Sequence, residues 1–259
     1  MRTGMAILGG VLVAAFLVVW IAGGGSGGSI DGADPVPLGA RRDAAFVNRG
    51  LESQVTAALA VSAPSEGQIL FGDFHVHTTI SGDAFLMNLP LMGGAGAMSP
   101  ADACDFARHC AALDFWSIND HANSLYPEDW TNTVAAIREC NAKAGDPANP
   151  DTVAFLGWEW TQAGLTPDDH YGHKNVVLAH TDDDRIPKRP IGAKPGTILL
   201  SSLGRTTRGA LSFVDDRFDD LNHRIATREG TPVCGDGHVS ELGLDCQEVA
   251  PTPADLVKS

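Results

Sequence analysis

The run FGDFHVHTTISGD, beginning at Phe71, constrains this chain most. An apolar stretch, ILF, leads into it; His75 and His77 stand two residues apart, and Asp83 follows. Alternate residues of an extended strand point the same way, so both imidazoles can reach one point from the strand's end. Imidazole and carboxylate are ligands for the divalent metals of hydrolytic enzymes. The run therefore predicts a strand over residues 69–74 that opens a metal site at its C-terminal end.

The chain beyond repeats this pattern. Ser99 is a natural N-cap, Pro100 fits the first helical position and Asp102 lies in the first turn. The helix DACDFARHCAA should bury Ala103, Phe106, Ala107 and Cys110. Residues 113–118, LDFWSI, read as a second strand ending in Asn119-Asp120-His121. A helix from about Pro127 passes through Trp130, Val134, Ile137 and Cys140, and Gly145 can end it. Residues 151–156 lead into a third strand ending Gly157-Trp158-Glu159, and residues 174–178 form a fourth, with His173 just before it. Strands separated by helices imply an α/β fold with a mostly parallel sheet. Such folds place active sites at the C-terminal ends of strands. Here ligand-type residues fall at three successive ends: His75 with His77, Asp120 with His121, and Glu159. Trp116, Trp158 and Trp160 read as core residues.

Other segments carry less. The Gly-rich PLMGGAGAM has no following Gly-Lys-Ser/Thr, so it is no phosphate-binding loop. Residues 181–200 read as loop, and residues 210–225 contain a helical pattern, DDRFDDLNHRI. The segment PTPADLVKS begins another helix. A formal charge of -14 with no Lys/Arg cluster argues against nucleic acid as a partner.

Residues 5–22 are uncharged and apolar, follow Arg2, and precede the linker GGGSGGS. This fits a secretory signal or an uncleaved membrane anchor, the latter slightly favoured by length. Either places the rest outside the cytoplasm, periplasmic, anchored or secreted. Residues 1–28 are thus read as signal or anchor with its linker, 29–67 as linker and peripheral segment, and 68–259 as the α/β portion that carries the candidate metal site. Export permits disulfides. Cys234 and Cys246 bracket a short Gly-containing loop and are the favoured bridge. Cys104 and Cys110 point to different faces of one helix; one of the five cysteines is left over or pairs outside this chain.

The candidate metal ligands are His75, His77, Asp83, His121, Glu159 and His173, with Glu159 suited to bridging two cations. Asp120 either ligates or orients an imidazole. Asp120, His121 and Glu159 are the candidate catalytic residues, and a nearby Asp, His or Lys174 could act as general acid. His170 and His180 are accessory candidates, and His109 reads as a surface residue. No Gly-x-Ser-x-Gly elbow marks a serine hydrolase.

FGDFHVHTTISGDAF followed by LDFWSINDHAN resembles the polymerase-and-histidinol-phosphatase (PHP) superfamily, marked by His-x-His-Thr after the first strand and Thr-Asp-His after the second. Here Asn119 replaces the threonine. FLGWEWTQ and HYGHKNVVL resemble its branch designated DUF3604. The resemblance implies a distorted (β/α)7 TIM-like barrel, here partial. It also implies a centre of two or three divalent cations (Zn, Mn or Fe) held by the six candidate ligands, with Asp120 as partner. Relatives carry a further histidine and a late Asp-x-His beyond a helix like PTPADLVKS. The resemblance therefore reads this chain as the N-terminal portion of a longer enzyme. Asp236-Gly237-His238 precedes that helix and has no strand leading into it. The implied function is metal-dependent hydrolysis of a small molecule, phosphoesters leading. Amide or carboxylic-ester hydrolysis, or an exported metal-binding or inactive remnant, are the alternatives.

Overall fold

The computed structural model describes residues 39–62, 68–89, 92–93, 98–194, 205–213, 215, 217–235 and 241–258. The apolar segment 5–22, most of the Gly-rich loop, and both Asp236 and His238 lie outside them. No helix among the described residues is long and apolar enough to cross a membrane.

Four strands form the central sheet in the order β1 (Gly72–Val76), β2 (Phe115–Ile118), β3 (Val153–Gln162) and β4 (Gly172–Leu178). The first three are parallel, as the helix-separated pattern requires. β4 runs antiparallel to β3, which corrects the expectation of a continuing βα series. The reason is local: no helix separates residue 162 from residue 172, and only a hairpin can close so short a connection. Reversal places His173, at the start of β4, on the rim where β1–β3 end. The sheet curls, so that the Asn175 amide of β4 donates to the Phe74 carbonyl of β1 at 2.9 Å.

Gly157 allows this curvature. A Cβ there would lie 2.3 Å from the Val176 carbonyl oxygen and 3.0 Å from that of Ile118. Trp116, Ile118, Leu156 and Trp158 fill the core beneath the sheet. Trp160 is fully buried as well, and its indole donates to the Ala250 carbonyl at 2.8 Å.

The segment expected as linker contains helix α1 (Ala44–Ala60), capped by Asp43, whose carboxylate accepts from the Ala45 and Phe46 amides. Its leading residues tie to the N-terminal ends of the strands, with the Arg42 amide donating to Asp151 at 2.7 Å. α2 (Gly82–Met87) follows β1, and α3 (Pro100–Asp105) starts with the expected Ser99 cap in a reciprocal box with Asp102. α3 then widens into a π turn at Phe106–Cys110. A π turn inserts residues into the helical period and rotates the stripe. Phe106 is consequently 59% exposed and Cys110 exposed, against expectation, while Arg108 is fully buried. The Arg108 guanidinium pairs with Asp151 at 3.0 Å and donates to the Cys140 carbonyl at 2.8 Å. His109 is half-buried rather than a surface residue, and its Nε2 has no hydrogen-bond partner.

α4 (Pro127–Ala142) buries Trp130, Val134, Ile137 and Cys140 as its spacing predicts. Its disulfide from Cys140 to Cys104 fastens it to α3; Cys234 pairs with Cys246, and Cys110 is free. The late helical pattern divides into α5 (Arg205–Ser212) and α6 (Arg217–Gly230). Phe218, Leu221 and Ile225 of α6 pack with Phe85 and Leu89. A second pairing of β5 (Ile191–Gly192) with β6 (Glu248–Val249) precedes α7 (Pro253–Lys258), the helix expected from PTPADLVKS.

Candidate metal centre

Backbone register assembles the site before any side chain is considered. A parallel bridge sets His121, three residues past β2, beside Glu159 of β3, and the Glu159 amide donates to the Asp120 carbonyl at 3.0 Å. In the antiparallel ladder Thr161 stands opposite His173. His75 lies within β1 and His77 just past its end.

Glu159 is the hub. Its carboxylate is almost wholly buried, yet Oε2 lies 3.0 Å from His75 Nε2, 3.1 Å from His77 Nε2 and 3.5 Å from His121 Nδ1. Oε1 takes a very close contact from His173 Nδ1 and a 2.8 Å hydrogen bond from the Thr161 hydroxyl. Asp83, in the first turn of α2, is mostly exposed and sets Oδ2 3.4 Å from His121 Nε2. Three overlapping groups result: His75, His77 and Glu159; His77, Asp83 and His121; and His121, Glu159 and His173. Within each, the donor atoms lie within 4.8 Å of one another.

Asp120 plays a different part. It is buried, and its oxygens accept from the Thr78 amide and hydroxyl, each at 2.7 Å, and from the Ser81 hydroxyl at 2.7 Å. It joins none of the three groups and reaches the imidazoles through Ser81. A carboxylate only accepts, so the Ser81 proton is committed to Asp120. The 2.7 Å contact between Ser81 Oγ and His77 Nδ1 must then use the ring's own N–H. In neutral His77 this leaves the Nε2 lone pair facing Glu159. Thr161 repeats the device: its proton goes to Glu159, so the 2.8 Å contact with His121 Nδ1 makes that nitrogen a donor.

The electrostatics follow. Burial lowers the His77 pKa, helped by the neighbouring His121, and favours the neutral ring. Burial raises the Glu159 carboxyl, but the Thr161 hydrogen bond and the His121 and His173 rings outweigh it and hold it below its ordinary value. Asp83 is likewise lowered: the Ala84 amide and His121 overcome partial burial. A neutral nitrogen and an ionised oxygen facing each other at 3.1 Å repel unless a cation lies between them. Such a separation is that of two ligands on one ion about 2.1 Å from each. The donor set thus fits divalent cations: imidazole and carboxylate, converging, with outer partners that fix the ring tautomers.

All six expected ligands come together. His170 instead faces the Gly164 carbonyl, and His180 is exposed outside the groups. Lys174 donates to the Tyr171 carbonyl, so it is turned from the cluster on the strand where His173 faces it. Ser81 and Thr161 were missed by sequence reasoning. Thr161 had a signal, since it stands two residues beyond Glu159 on the same face of a strand. Ser81 had none, because its role depends on a loop closing over Asp120. A cavity of about 450 Å³ adjoins the cluster, lined in part by Asp83, His121 and His173.

The chain matches no family model, no curated protein and no solved structure.

Proposed function

We propose that this chain is a metal-dependent hydrolase of the PHP type, acting on small phosphoesters through metal-activated water. The observation that supports the reading best is Glu159, a buried ionised carboxylate contacted by four imidazoles with Asp83 beside them. His75, His77, Asp83, His121, Glu159 and His173 would hold two or three divalent cations such as Zn, Mn or Fe. Cations held there would supply an activated water and offset charge building on the phosphoryl oxygens. Ser81 and Thr161 keep the His77 and His121 rings in one tautomer and orientation. His121 borders both the cluster and the cavity, so a cation it held would face a molecule seated there. The curled sheet, with all ligands on one rim, accords with part of a (β/α)7 barrel. On the same reading the apolar residues 5–22 export the chain and hold it at a membrane.

The test is metal analysis joined to turnover. Purified protein should retain at least two equivalents of Zn, Mn or Fe and hydrolyse a generic aryl phosphate. His75→Ala and Glu159→Ala should lose both properties. A protein that retains no metal would sink the reading. Full metal content with cleavage of amides or carboxylic esters, and none of phosphoesters, would move it to the amidohydrolase-like class.

A further inference from the structure

The cavity beside the cluster is also lined by a cation supplied from far along the chain. The apolar stripe Phe218, Leu221 and Ile225 docks α6 on Phe85 and Leu89, and that docking delivers Arg224 to the cavity. Its Nη2 donates to the Ile80 carbonyl and, at 3.5 Å, to the Ser124 carbonyl. The guanidinium also sits 5.2 Å from the centre of the Phe85 ring. These contacts position the group, and Asp129 feels its charge from beyond ion-pair distance. Among the described residues no carboxylate lies within ion-pair distance of Arg224, and its Nε and Nη1 donate to none of them. The Nε–H and Nη1–H groups left over can each donate to an oxygen of an anionic group in the cavity. Tyr126 and Phe85 line the same cavity.

We propose that Arg224 is a specificity-determining residue that binds an anionic group, phosphoryl or carboxylate, of a compact substrate seated between Phe85 and the metal-ligating cluster. The catalytic part of this statement rests on the hydrolase reading; the anion-binding part does not.

The experiment is calorimetric titration of the full chain, both metal-loaded and chelator-treated, with inorganic phosphate and separately with acetate. Wild-type protein should bind one of them in both forms. Arg224→Gln, which keeps a donor for the two carbonyls, should weaken that binding by about tenfold or more. Arg224→Lys restores the charge and should recover part of the affinity. Preference for phosphate assigns the phosphoryl group, and preference for acetate the carboxylate. Equal affinity in wild type and Arg224→Gln, equal loss in the Gln and Lys variants, or binding of neither ion would each overturn the proposal. Arg224-dependent binding without aryl-phosphate turnover would sink the hydrolase reading alone. Turnover with binding indifferent to Arg224 would sink the anchor alone.

Discussion

The Ser81 hydroxyl stands 2.7 Å from His77 Nδ1, on the opposite side of the ring from Glu159. Because its proton goes to Asp120, it accepts from the ring and turns the His77 Nε2 lone pair toward the cluster. The backbone amide of His121 donates to the same oxygen at 3.0 Å, so one hydroxyl sets two candidate ligands.

Ser81→Ala should therefore act through the metal. Loss of such an outer partner typically weakens metal affinity by about 10–100-fold. It also leaves the His121 amide without its acceptor, at about 1–3 kcal/mol of stability. Competition with a chromogenic chelator and denaturant melts of the metal-free chain read the two effects separately. Unchanged metal affinity would remove Ser81 from the site.

Gly157 is needed for space rather than for an unusual backbone angle. A side chain would meet the Val176 and Ile118 carbonyl oxygens across both neighbouring strands. Overpacking of this kind costs about 1–3 kcal/mol, or more where backbone must move. Gly157→Ala should lower the melting temperature and, because Glu159 lies two residues on, also lower metal content. A variant as stable as wild type would show that β4 shifts freely.

The two disulfides should differ in their contribution. Cys104–Cys140 spans a sequence separation of 36 and Cys234–Cys246 one of 12. Chain-entropy reasoning assigns about 4 kcal/mol to the longer closure and about 3 kcal/mol to the shorter. Paired Cys→Ala replacements compared by equilibrium unfolding should preserve this order. Removing the first bridge should cost more, since it fastens α3 and its π turn to α4. The reverse order would show that native contacts outweigh loop closure.

Tyr126 offers a pH test away from the ligands. It is buried, and burial pushes its phenol up to about 12 from an ordinary 10.0, against the opposing pull of Arg224 and Arg228. Between these values the unfolded chain loses the proton and the folded chain keeps it. The stability associated with Tyr126 is thus fully present below pH 10.0 and declines as pH rises toward about 12. Ultraviolet titration of phenolate formation should show a late component that Tyr126→Phe removes. The sequence contains only two tyrosines, which makes the assignment direct. A titration with no late component would contradict the buried environment.

Much of the site was legible because short-range geometry makes it so. Two-residue spacing on a strand aims His75 and His77 together, and a strand's end presents His121 and Glu159 by the same rule. α4 likewise buried the residues its period predicted. Phe106 failed because a π turn breaks the period, and nothing in DFARHC announces one. β4 reversed because the length of the connection, not its composition, decides strand direction. Asp120 was expected near the imidazoles and is near them, but Thr78 and Ser81 occupy its oxygens.

The sequence by itself determined the donor types, the alternation that carries them to strand ends, and the α/β class, since all three depend on neighbours a few residues apart. Only the tertiary structure decided that four imidazoles from three segments converge on one buried carboxylate. It alone decided that Ser81 and Thr161 choose the imidazole tautomers, and that Arg224 reaches the adjoining cavity. Those relations join residues between two and 144 positions apart across the fold. Packing and backbone register set them, and no local pattern encodes either.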